Sequence, residues 1–207
     1  MYSLTKEIRD QMTPQVAVQF LKDGNQRFIN NLKVNRNLLQ QMNETSESQN
    51  PFAIILSCID SRTSAELIFD QGLGDIFSCR IAGNILNDDI IGSMEFACKV
   101  AGAKLIMVLG HTECGAIKGA CDNVKMGKLT GLLEKISPAV DLENSTTTDR
   151  TSKNIDFVDN VAAINAQITV GQITEKSPIL KDMVDKNEIK IISGIYDVGN
   201  GVVSFFD

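Results

Sequence analysis

The chain has 207 residues, 43% hydrophobic and 22% charged, with five cysteines, one histidine and a formal net charge of -6. That composition fits a single domain needing no disulfide support, without the roughly eighteen-residue apolar run of a membrane span. The acidic balance argues against nucleic acid or an anionic membrane as partner. An odd number of cysteines without small-scaffold spacing points to a reducing cytoplasm. Residues 1–7 lack an apolar leader core, so a periplasmic location would require a signal peptide already removed.

In chain order, Thr13-Pro14 followed by Val16, Phe20, Leu21, Phe28 and Ile29 reads as an amphipathic helix. Thr13 is its N-cap and Pro14 lies in its first turn, while Gly24 interrupts it and could divide it in two. The polar stretch 43–50 is a loop that ends an N-terminal helical arm, residues 1–50. Apolar runs at 52–57, 76–81 and 105–109 lack period-two alternation, which predicts strands buried on both faces of a parallel sheet. Helices are expected at 64–70 and 88–101, another opens near Cys114, and 131–140 is a short helical candidate. The segment 142–154, rich in Ser, Thr, Asp and Asn, is an exposed connection. A long helix over 155–175 and a shorter one after Ser177-Pro178 lead to a fourth strand, 189–196. Gly199-Asn200-Gly201 then turns the chain into an antiparallel fifth strand, 202–206.

This order implies an α/β fold: a doubly wound, mostly parallel sheet of four strands plus an antiparallel C-terminal strand. The core would span 51–207 within a single domain, 1–207. Ligands in such sheets bind beyond the carboxyl ends of the strands, where the winding reverses. Two strand-to-loop junctions place soft metal ligands there: Cys58 after the first strand, His111 and Cys114 after the third. Alone, each cysteine reads as a buried small hydrophobe and the histidine as a hydrogen-bonded core residue. Together, two thiolates and one imidazole suit zinc, and three protein ligands leave a fourth position for water. Cys79, Cys98 and Cys121 lack such company and read as packing. Asp60 and Arg62 follow Cys58 by two and four residues. An unpaired carboxylate so placed would itself take the open position, and a two-pronged bond to arginine would hold it away.

Cys58-x-Asp60-x-Arg62 followed by His111-x-x-Cys114-Gly115 resembles the signature of the β-class carbonic anhydrases. Thr13-Pro14 with Gly24-Asn25-Gln26-Arg27-Phe28 is similar to that family's N-terminal helices. Further similar segments are Gly74-Asp75-Ile76-Phe77, Arg80-Ile81-Ala82-Gly83-Asn84 and Gly194-Ile195-Tyr196-Asp197. The resemblance implies reversible hydration of carbon dioxide to bicarbonate and a proton, through zinc-bound hydroxide. It gives one Zn2+ per subunit on Cys58, His111 and Cys114, with Asp60 and Arg62 as catalytic dyad. It also implies a homodimer or a tetramer built from dimers, with active sites at the dimer interface. Gln49, Phe77, Phe96 and Gly115 are its substrate-binding positions. Ile55 and Thr63 stand where the allosteric subtype carries a tryptophan and a valine, so the plant-like open site is favoured. Phe96 and Ala82 depart from the plant-like tyrosine and valine but keep the pocket apolar. The rivals are a hydrolase of carbon disulfide or carbonyl sulfide on the same scaffold and a non-catalytic zinc-binding subunit. A redox role is weaker, because there is no Cys-x-x-Cys pair.

Overall fold

A computed structural model describes residues 4–206. Helix α1, Lys6–Gln11, is capped by Thr5, and α2, Pro14–Ile29, by Thr13, whose hydroxyl accepts the Val16 amide. Helix α2 runs through Gly24 unbroken. A Cβ there would stand 1.8 Å from the Phe69 carbonyl oxygen, so the glycine serves close packing and not a break. Helix α3, Leu38–Glu44, which hydrophobic periodicity does not reveal, is capped by Asn37. Leu38, Leu39 and Met42 of this helix are solvent-exposed.

Strand β1, Ala53–Ser57, is followed by α4, Ala65–Ile68, and β2, Ile76–Arg80. A 3-10 turn, Ala82–Asn84, and α5, Asp88–Glu95, come next. The expected 88–101 helix widens into a π-turn over Phe96–Val100. Strand β3, Leu105–His111, runs two residues past the expected end, so His111 closes the strand. Helices α6, Gly115–Cys121, α7, Gly127–Leu133, and α8, Ser137–Leu142, follow. The last two replace the single helix expected at 131–140, with Pro138 in the first turn of α8. Helix α9, Ile155–Lys176, and α10, Pro178–Asp185, lead to β4, Lys190–Tyr196, and β5, Val203–Phe206.

The sheet order is β2-β1-β3-β4-β5, the first four strands parallel and β5 antiparallel to β4. Every residue of β1 and β3 is buried, as an apolar run without alternation requires. Strand β2 is the exception. It is an edge strand with Ser78 and Arg80 exposed. Ala53 and Ile55 pack with Leu105, Met107, α2 and α4 on one face, while Ile54, Leu56, Ile106 and Val108 face α5, α9 and α10 on the other. From β1 the chain moves outward to β2, then returns to place β3 on the other flank of β1. The winding therefore reverses between β1 and β3, and their carboxyl ends form the crevice at which such folds bind ligands.

Candidate metal centre

Cys58 is the first residue beyond β1, and His111 is the last of β3. Leu109 of β3 lies opposite Ser57 of β1, so the two junctions are neighbours. Between His111 and Cys114 the chain turns sharply, with Glu113 in the left-handed region at φ 59°. This backbone state is uncommon for a non-glycine residue and is held by its surroundings. The Glu113 amide donates to Asp159 Oδ1 at 3.2 Å, and its carboxylate pairs with Lys118. Thr112 ties the turn to the end of β4: its amide donates to the Tyr196 carbonyl, and its hydroxyl oxygen accepts the Val198 amide. Cys114 thereby comes back beside His111 at the start of α6.

The ligand atoms of Cys58, His111 and Cys114 all lie within 4.8 Å of one another, and all three residues are buried. The two sulfurs are 4.0 Å apart. A tetrahedral ion about 2.3 Å from each would set them roughly 3.8 Å apart, so the pair fits zinc. His111 Nδ1 lies 2.8 Å from the Thr112 carbonyl oxygen. A carbonyl only accepts, so Nδ1 carries the proton and Nε2 presents its lone pair. Nε2 is buried and has no hydrogen-bond partner among the described residues, a costly arrangement unless a cation completes it.

The thiols are poised in the same sense. Hydrogen bonding from Cys114, and then from the Asp60 and Gly83 amides, holds Cys58 well below the usual thiol range despite burial. Cys114 is pushed up, first by its bond to Cys58 and then by burial, with the Ala116 and Ile117 amides opposing. A divalent cation bound between the two sulfurs would displace their protons.

Asp60 stands beside this triad and outside it. Its Oδ1 accepts from Arg62 N and Nε, each at 2.9 Å, and its Oδ2 from Arg62 Nη2 at 2.8 Å. These bonds hold the Asp60 carboxyl far below the ordinary carboxylate range. Gly115 follows Cys114 as the first residue of α6, and a Cβ there would meet nothing within 4 Å, so its backbone is open to a small molecule.

The remaining expected positions lie elsewhere. Gln49 is exposed and four residues before β1, with its Cβ 3.9 Å from where a Cβ on Gly74, just before β2, would stand. This is the amino end of the sheet, and the five residues of β1 put it about 16 Å from the Cys58 end. Phe77 pairs in register with Ile54, four residues before Cys58. Its ring packs edge-on against Phe96, with centroids 6.2 Å apart, and Phe96 is 53% exposed. Both line an open hollow of about 680 Å³ that no member of the triad touches.

Sequence reading gives no role to Asn165. It is one of two polar residues, with Thr169, in the buried stripe of α9 that holds Val161, Ala162 and Ala166, and that break in an apolar face is the signal for it. Its Nδ2 donates to the Gly83 carbonyl at 2.9 Å, and the Gly83 amide lies 3.4 Å from Cys58 Sγ.

A family model described as carbonic anhydrase matches residues 53–203. A carbonic anhydrase of Mycolicibacterium smegmatis is 31% identical over 196 residues, 92% of each chain. Among solved structures, a β-carbonic anhydrase of Aspergillus fumigatus superimposes with a TM-score of 0.73 at 24% identity, covering 93% of this chain and 90% of its own. One of two tetrameric β-carbonic anhydrases of Sordaria macrospora gives 0.70 at 20% identity, covering 80% and 85%.

Proposed function

Because the chain belongs to the β-carbonic anhydrase family, we propose that it carries out reversible hydration of carbon dioxide at the Cys58–His111–Cys114 centre, with one zinc ion per subunit. The observation that carries this reading is a buried Cys2His triad flanked by a carboxylate held on arginine and outside the triad. A purely structural zinc would have no use for that restraint. It also favours the plant-like open arrangement over one closed by aspartate.

Zinc held by Cys58, His111 and Cys114 supplies the acidification that makes water a nucleophile near neutral pH. The chain's own residues do the rest. Thr112 fixes the His111 ring through its carbonyl, so the tautomer offered to the metal does not change. Asp60 Oδ2 receives a single bond from Arg62 and keeps lone-pair capacity, with which it would accept a hydrogen bond from the attacking water and orient it. Because Arg62 keeps that carboxylate ionised, Asp60 orients a proton but does not store one.

The apolar part of the pocket comes from a second copy of the chain. Gln49 lies near Gly74 at the amino end of the sheet, Phe77 and Phe96 meet at the β2 edge, and β2 and α3 leave that side exposed. A homodimer that seats this edge against the partner's triad completes two sites at once. Tetramers assembled from such dimers are compatible with this arrangement. All five cysteines are free thiols, which suits the reducing cytoplasm we assign to the protein. Among the described residues, no helix is long and apolar enough to cross a membrane.

Stopped-flow hydration of carbon dioxide, with metal analysis of the same sample, tests the reading. We expect about one zinc per chain and activity in the wild type, and loss of both in Cys58→Ala. A metal-loaded but inactive wild type would refute the activity, and an active metal-free protein would refute the centre.

A further inference from the structure

The turn that carries Asp60 faces solvent, with Ile59 62% exposed, and lies next to a site its carboxylate would fill. Asp60 pairs with Arg62, which is itself half-exposed, and an exposed ion pair is a weak restraint by itself. The backbone of the turn is held more firmly. Thr63, 1% exposed, directs its hydroxyl at two carbonyl oxygens, that of Cys58 at 3.0 Å and that of Asp60 at 2.9 Å. The same two carbonyls accept from the Arg80 side chain at the end of β2, Nε at 3.0 Å to Cys58 and Nη2 at 2.6 Å to Asp60. The Thr63 amide also donates to the Asp60 carbonyl. Two side chains from different elements thus bind the same pair of backbone oxygens. Of these four side-chain bonds, the one from the Thr63 hydroxyl to Cys58 is the fully buried one, where water cannot replace it.

We propose that Thr63 is a positioning residue whose hydroxyl, together with Arg80, locks the 58–62 turn so that Asp60 stays on Arg62 and off the metal. The inference rests on the reading of Cys58, His111 and Cys114 as the metal centre. With the hydroxyl removed, the turn can tilt and the Asp60 carboxylate can occupy the position meant for water. Valine has the shape of threonine without its donor, and serine keeps the donor without the methyl group.

The test compares wild type, Thr63→Val and Thr63→Ser as cobalt-loaded proteins, titrated with azide and followed by their visible spectra, with metal analysis of each. Hydrogen exchange of the 58–63 segment is measured in parallel. We expect wild type and Thr63→Ser to bind azide within about twofold of one another. Thr63→Val should bind it roughly tenfold or more weakly at equal metal content, as expected for loss of a group that orients a metal site. Exchange in its 58–63 segment should be faster. Equal azide affinity in Thr63→Val and wild type would overturn the lock, as would a loss in Thr63→Ser equal to that in Thr63→Val. Thr63→Ala, read the same way, takes the place of the valine variant if that one does not fold. A wild type that binds no metal would instead overturn the metal-centre reading, an outcome visible before any azide is added.

Discussion

His111 is the chain's one histidine, and both of its ring nitrogens are committed, Nδ1 to the Thr112 carbonyl and Nε2 to the metal position. Hydration of carbon dioxide releases a proton, and this imidazole cannot carry it away. Asp60 cannot store it either, because Arg62 holds the carboxyl ionised far below neutral pH. Turnover at saturating substrate should therefore rise with buffer concentration at fixed pH and ionic strength in stopped-flow assays. Turnover independent of buffer would mean that another group exports the proton. Two thiolates and a neutral imidazole cancel the charge of a divalent ion, so water at this centre should be less acidic than the value of about 7 at a three-histidine site. Accordingly kcat/KM should climb from pH 6 to 9, and a flat profile would contradict the assignment of both cysteines as ligands. Arg62→Lys puts a point charge where a planar fork now grips both carboxylate oxygens. We expect a roughly 10–100-fold loss of kcat/KM with zinc retained, and full activity would remove Arg62 from the role given to it.

Residues that act over a few positions of sequence are legible in the chain itself. Cys58, Asp60 and Arg62, like His111 and Cys114, declare their chemistry by spacing. Gly83 and Asn165 do not, because each matters through an element far away in sequence. Gly83 has φ 66°, and a Cβ there would stand 2.6 Å from Ile136 Cδ1 and 3.2 Å from Ala116 Cβ. Its carbonyl is held by Asn165 of α9 while its amide reaches Cys58 Sγ. Helix α9 therefore braces the 3-10 turn that braces the ligand. Gly83→Ala should retain less zinc than wild type after dialysis against a chelator, because the strained turn withdraws its amide from the sulfur. Unchanged retention would leave the turn a packing role only. Gly24 misleads for the same reason. Its helix looks breakable until the Phe69 backbone, 45 positions on in sequence, is seen to lie against it. The strands were readable because burial on both faces leaves an uninterrupted apolar run. Edge position was not read, since β2 has the same apolar start as its neighbours, although Ser78 and Arg80 already mark its exposed side.

The whole molecule is built with its two chemistries apart: a metal triad at the carboxyl end of β1 and β3, and Gln49, Phe77 and Phe96 toward the amino end and the free edge. A rigid sheet cannot bring these together within one chain; the proposed homodimer would do so if its twofold axis turned each edge toward the other subunit's crevice. This arrangement makes a sharp prediction about mixtures. Cys58→Ala destroys the metal triad of its own subunit but leaves its Gln49 intact, and Gln49→Ala does the reverse. If Gln49 serves the partner's site, a mixed dimer of the two variants has one site with every residue present and one with both defects. Random reassociation from dissociated subunits makes half of all dimers mixed, so activity should recover to about a quarter of wild type. If Gln49 acted on its own subunit's metal, every site in every dimer would carry one defect, and mixing would restore nothing. The sequence names the residues of both halves, and the sheet register sets them apart within one subunit. The mixing experiment therefore tests the register and the function together.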